Sequence, residues 1–124
     1  MNPIEFKARR EALGLSQSEL ARLLDVKQVT ISAWENGTRS IPVGAEVQLE
    51  DIEEVMEDLV GEILESREAG VGDMPLMTYA SNAALDVGAP HLAGLPAAMH
   101  RVACARAAVL LREDGLHLGI QQAP

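Results

Sequence analysis

The chain is 124 residues long, with nineteen acidic residues against ten basic ones, a net charge of −9 and one cysteine. That length allows one domain, or one small domain plus an accessory element, and a single cysteine excludes a disulfide scaffold. No apolar run is long enough to cross a membrane and no signal-peptide pattern is present, so a cytoplasmic, membrane-free protein is expected.

The elements are predicted in chain order as follows. Asn2, Pro3 and Glu5 read as an N-cap, an N1 proline and a capping glutamate, so a first helix starts at once and runs to Leu13, where Gly14 stops it. Ile4, Phe6, Leu13 and Leu15 are its expected contribution to a small core. Ser16 followed by Glu19 is a capping box, opening a second helix, Gln17 to Leu24, with Leu20, Ala21 and Leu24 on one face. Asp25 and Val26 make a turn. A third helix, Gln28 to Asn36, turns Ile31 and Trp34 inward and Lys27, Gln28, Ser32 and Ala33 outward, and Gly37 ends it in a left-handed conformation. Two short amphipathic helices joined by a tight turn describe a helix-turn-helix, whose second helix enters the DNA major groove by its N-terminus.

Within this segment the motif G-L-S-Q-x-E-L-A at Gly14 to Ala21 is followed by T-I-S-x-W-E-N-G at Thr30 to Gly37. With these motifs, Phe6 to Pro42 resembles the Cro/phage-repressor (XRE) type of helix-turn-helix, which implies a lambda-repressor-like fold and sequence-specific DNA binding. Two positions depart from that family's pattern. Asp25 stands where the family usually has glycine, and Asp adopts a left-handed turn at greater cost. Lys27 stands where the family often has a Ser or Thr cap, which places a cation at the positive end of the third helix and suggests a DNA contact.

From Val43 to about Ala69 a long helix is predicted, roughly 40 Å in length at ~1.5 Å per residue. Val47, Leu49, Ile52, Val55, Met56, Leu59, Val60, Ile63 and Leu64 recur at spacings of three and four, and acidic residues fill the other face. Its far half has to pack on the C-terminal segment, a second subunit, or both. Gly70 to Pro75 breaks the helix. Leu76 to Ala80 reads as a short strand, residues 81–95 resist assignment, Pro96 opens a helix from Ala97 to Glu113 ended by Gly115, and Leu116 to Pro124 reads as a tail. Met99, Val102, Ala103, Val109 and Leu110 are expected to line one side of that last helix. The long helix, short strand and final helix are similar in pattern to the anti-CRISPR-associated (Aca) autoregulators. That resemblance implies a homodimer held by the C-terminal part, with Leu59, Ile63, Tyr79, Val102 and Val109 as interface candidates.

The charge is unevenly distributed. Residues 1–41 hold six bases against five acids, and residues 42–69 hold ten acids against Arg67 alone. The segment that would face DNA is therefore not acidic, although its small surplus implies weak non-specific affinity and reliance on a dimer. Carboxylates along residues 46–68 flank an apolar stripe rather than converging, so they read as a solvated face and not a metal site.

Gln28 leads the candidates for reading a base, since its amide can bond adenine bidentately. Lys27 suits guanine or a phosphate, Val29 and Ala33 a thymine methyl, and Ser32 a hydroxyl contact. Gln17, Thr30, Asn36 and Arg39 are candidates for the phosphate backbone. Asn36 also reads as a helix C-cap, Arg39 equally as a solvated loop charge, and Trp34 as core. The resemblance implies a structural ion pair between Arg10 and Glu35. His100 and Cys104, four residues apart, with His91 or His117, form only a weak metal motif, and a buried inert thiol beside a surface histidine is the simpler reading. No nucleophile–base grouping, phosphate-binding glycine loop or cofactor motif appears.

The sequence therefore predicts a mostly α protein, with a helix-turn-helix and long acidic helix in residues 1–69 and a small α unit with a short strand in residues 70–124 for dimerisation. The expected function is that of a homodimeric repressor of double-stranded DNA at an inverted repeat, acting on its own promoter among others. The alternative is an antitoxin-like protein that also binds a protein partner through its C-terminal half.

Overall fold

The computed structural model describes residues 1–68 and 74–124. It is mostly α: α1 (Pro3–Ala12), α2 (Gln17–Leu24), α3 (Gln28–Asn36), α4 (Val43–Glu68), β1 (Leu76–Thr78), α5 (Asn82–Gly88), a 3-10 turn (Pro90–Leu92), α6 (Ala97–Glu113) and β2 (Ile120–Gln122). Two compact units divide inside α4: Met1–Glu54 and Val55–Pro124. The predicted division at residues 69 and 70, and positions 70–73 of the break predicted over Gly70 to Pro75, fall outside the described residues.

In the first unit, α1 begins as its sequence dictates, with the Asn2 side chain accepting from the Glu5 amide at 2.7 Å. Phe6, Leu13, Leu15, Leu20, Leu24, Ile31, Trp34, Ala45 and Leu49 are buried, and Phe6 meets Trp34 edge to face with ring centroids 5.7 Å apart. Such a pair adds about 0.5–1.5 kcal/mol beyond its buried area. Ile4, expected in this core, is exposed; two residues before Phe6 on α1, it lies on the opposite face of the helix. Arg9 pairs with Glu53, fastening α1 to the first half of α4.

The second unit contains two buried clusters. Leu76, Cys104 and Ala107 pack with Val60, Ile63, Leu64, Ala108 and Leu118, and Leu85, Ala89 and Ala97 pack with Tyr79, Leu92 and Leu95. The inward line of α6 is Ala97, His100, Cys104, Ala107 and Leu111, with Met99 and Ala103 beside it. Val109 and Leu110, predicted for the packed side, are exposed instead; the buried line of α6 passes from Ala107 to Leu111 and leaves these two outside it. Along α4, Ala45, Leu49, Met56 and Leu59 are buried while Val47 and Val55 are exposed. The buried residues follow the three-and-four spacing, and Val47 and Val55 lie off that line.

Two segments take structure that was not predicted. Residues 81–95 hold α5, capped by Ser81, whose hydroxyl accepts from the Ala84 amide at 3.1 Å, and the 3-10 turn. The predicted tail holds β2, which pairs parallel to β1 with Leu76 opposite Ile120 and Thr78 opposite Gln122. The Thr78 hydroxyl also donates to the Gln121 carbonyl at 2.9 Å. No helix among the described residues is long and apolar enough to cross a membrane.

Candidate nucleic-acid interface

The first unit presents α3 on a closely specified scaffold. Ser16 and Glu19 close the capping box in both directions: the Ser16 hydroxyl accepts from the Glu19 amide at 3.0 Å, and the Glu19 carboxylate accepts from the Ser16 amide at 3.1 Å. At the other end of α2, Asp25 is left-handed (φ 54°, ψ 47°). The Val26 amide donates back to the Ala21 carbonyl at 2.9 Å, the six-to-one bond of a Schellman turn. Asp25 is the sole non-glycine residue with positive φ among the described residues, so the sharp reversal from α2 into α3 carries backbone strain that glycine would relieve.

Helix α3 starts from an extended Lys27 that supplies no side-chain cap, and ends at Gly37 with φ 81°. Ile31 and Trp34 are buried; Lys27, Gln28 and Val29 are exposed, and Ser32 and Ala33 are partly so. Val29 keeps 69% of its surface in water, which leaves its side chain open to a partner on this face. Gln28, Val29, Ser32 and Ala33 fall at i, i+1, i+4 and i+5, so they share one face running from the N-terminus of α3. Uncapped amide groups at that end add partial positive charge beside the Lys27 ammonium.

Behind this face lies a chain of polar contacts. The Gln28 side-chain amide donates to the side-chain oxygen Oε1 of Gln17 at 3.2 Å, and Nε2 of Gln17 donates to the Glu35 carboxylate at 3.2 Å. Glu35 accepts from Arg10 through both carboxylate oxygens at 2.7 and 2.8 Å, and the same guanidinium donates to the Leu15 carbonyl at 2.7 Å. Arg10 and Glu35 are each only 7% exposed. Burial would raise the Glu35 carboxyl, but the hydrogen bonds from Arg10 and Gln17 and the charge of Arg10 together outweigh it and hold the group below its ordinary value. The hydrogen bond to Glu35 raises Arg10 in turn. The exposed amide of Gln28 is thus oriented through Gln17 from a buried ion pair. The sequence marked Gln17 only as a phosphate contact; its link to Gln28 was not read, although both glutamines flank the turn.

The remaining candidates are placed as follows. Thr30 is half-buried, and Arg39 is exposed in the loop after α3 with its amide donating to the Ala33 carbonyl at 3.2 Å. The Asn36 oxygen accepts from the Thr38 amide at 3.0 Å and from its hydroxyl at 2.7 Å, so it closes that loop and leaves only its NH2 donors for a phosphate. Of the interface candidates in the second unit, Leu59 is buried, Ile63 packs on the Leu76 cluster, Tyr79 packs on the Leu85 cluster, Val102 is half-buried, and Val109 is exposed.

His100 is buried, contrary to the surface position expected for it, and its ring sits 5.7 Å from that of Tyr79. The Cys104 sulfur lies 3.9 Å from each His100 ring nitrogen, and burial pushes the thiol up to about 11. A thiol so raised is neutral at physiological pH and a poor nucleophile or metal ligand. No group of three His, Cys, Asp or Glu residues among those described could hold a metal ion.

A comparison with family models matches residues 6–45 to the helix-turn-helix family. No curated protein matches the chain. The match covers α1 to the start of α4, 40 of the 124 residues. This segment is an XRE-type helix-turn-helix, the DNA-binding domain of a transcription regulator.

Proposed function

We propose that the protein is a homodimeric transcriptional repressor that binds an inverted repeat, its own promoter included, in the cytoplasm and without catalysing a reaction. The observation that carries this reading is the exposed α3 face, with Gln28 held by Gln17 and ultimately by the Arg10–Glu35 pair. A glutamine whose amide is oriented before DNA arrives loses less freedom on forming a bidentate contact to adenine. Val29 and Ala33 suit a thymine methyl, Ser32 a hydrogen bond, and Lys27 a guanine or phosphate. Gln17, Thr30, Asn36 and Arg39 would follow the backbone on either side.

A single copy has few free cations to offer phosphates, since Arg9 and Arg10 are committed to Glu53 and Glu35. Specific affinity therefore calls for two recognition helices, about 34 Å apart on successive major grooves. The second unit would supply the dimer contact, and occupancy of the promoter would block transcription.

A gel shift at moderate salt with the DNA upstream of the gene tests this. Gln28→Ala should weaken binding by roughly tenfold or more, the loss of one good base contact at ~1–3 kcal/mol. Lys27→Ala should weaken it and flatten the salt dependence. Binding no tighter than to random DNA would reject the repressor and favour a protein-partner role for the C-terminal half.

A further inference from the structure

Among the described residues, strand β2 has one backbone edge occupied and one unoccupied. Gly119 accepts from the Leu76 amide, and the Ala123 amide donates to the Thr78 carbonyl, both at 2.8 Å. Backbone groups alternate along a strand, so Gly119, Gln121 and Ala123 point toward β1 and Ile120 and Gln122 point away from it. All three β2 residues are exposed, and Ile120 keeps 44% of its surface in water. Protein edges of this kind are normally guarded by lysine, proline, a bulge or a covering element. Residues 116–123 contain no Lys, Arg, Asp, Glu or Pro.

Charge helps to identify the occupant. Two copies of a chain with net charge −9 repel one another over most of their surface, and this uncharged edge is a place where they can approach without juxtaposed carboxylates. We propose that β2 pairs antiparallel with β2 of a second copy, about a two-fold axis at Gln121, giving the strand order β1-β2-β2-β1. Ile120 of one protomer then lies opposite Gln122 of its partner. The outward amides and carbonyls of these residues make four hydrogen bonds, the pattern of two hydrogen-bonded antiparallel pairs flanking a non-bonded one. The exposed Ile120 contributes apolar contact. This inference rests on the homodimer reading and assigns its interface.

The test uses the full chain, with sedimentation equilibrium across a concentration series and backbone hydrogen exchange at each concentration. The Ile120 and Gln122 amides should be protected where the protein is dimeric and lose protection on dilution. Gln122→Pro deletes an outward N–H that the protomer does not use, so it should leave the circular dichroism melt in place and raise the dimer Kd about tenfold or more, two hydrogen bonds being lost by symmetry. A folded Gln122→Pro protein with unchanged Kd would overturn the assignment. So would a wild-type dimer whose Ile120 and Gln122 amides exchange freely, with the homodimeric repressor surviving. A chain that stays monomeric throughout, even in the presence of operator DNA, would overturn both.

Discussion

Removing the Glu35 carboxylate should cost the first unit most of its stability. Arg10 and Glu35 are 7% exposed, and the guanidinium makes two bonds to the carboxylate and one to Leu15. In Glu35→Ala the cation stays buried with only a carbonyl for company, a loss of about 3–5 kcal/mol. At ~0.05–0.15 kcal/mol per residue, the unit Met1–Glu54 has about 3–8 kcal/mol in total, so the variant should be partly or wholly unfolded in this unit. The double variant Arg10→Met with Glu35→Leu removes both charges and fills their volume, and should return to within about 1–2 kcal/mol of wild type. Trp34 is the only tryptophan and is buried in this unit against Phe6, so urea titration followed by its fluorescence reads the right transition. If Glu35→Ala cost under about 1 kcal/mol, or if the losses from Arg10→Met and Glu35→Leu made singly simply added in the double variant, the pair would not be a coupled buried element. The stable double variant should still bind DNA less tightly, because Gln17 has lost the acceptor that holds it for Gln28.

Three further outcomes are expected. Asp25→Val should destabilise the first unit by about 1–2 kcal/mol, since a β-branched residue tolerates φ 54° worst, whereas Asp25→Gly should not destabilise it; thermal melts compare the two. Gly88→Ala should destabilise the second unit by roughly 1–3 kcal/mol, because a Cβ there overlaps the Tyr79 ring, and the near-ultraviolet dichroism of that single tyrosine should change. Burial first, then the charges of His91 and Arg101, depress His100. Its contribution is therefore fully present above the unfolded value of about 6.5 and lost as pH falls through the folded value. The second unit should lose stability on mild acidification, with the His100 ring titrating below a free histidine by NMR and His100→Phe flattening the profile.

How far the sequence could be read depended on whether the signal was local. The capping box at Ser16 and Glu19, the left-handed Gly37 and the Leu20–Ala21–Leu24 face each lie within a few residues, and α1 to α3 followed from them. Strand β2 offered nothing of that kind: Ile-Gln-Gln has no alternation, and it is a strand because β1 lies beside it. Helix α5 did carry a local mark, Ser81 as cap, but the surrounding glycines, prolines and alanines masked its short period. On α6 the expected Met99 and Ala103 are buried, but the packed line also takes in Ala97, His100, Cys104, Ala107 and Leu111 in place of Val109 and Leu110. Gln28 was legible as an outward residue of α3. Its tether to Gln17 was not, because that contact depends on the angle between two helices.

The parallel pairing of β1 with β2 also orders events in time. Leu76 and Ile120 are 44 positions apart, and joining them closes a loop through α5, the 3-10 turn and α6, whereas the capping box and the turn at Asp25 form between near neighbours. A longer loop costs more entropy to close and so closes more slowly. A newly made chain should therefore complete its DNA-reading helices before its C-terminal sheet. If the sheet edge joins two copies and the protein represses its own promoter as proposed, repression begins only after that last closure, and self-limiting expression lags behind synthesis by the time it takes.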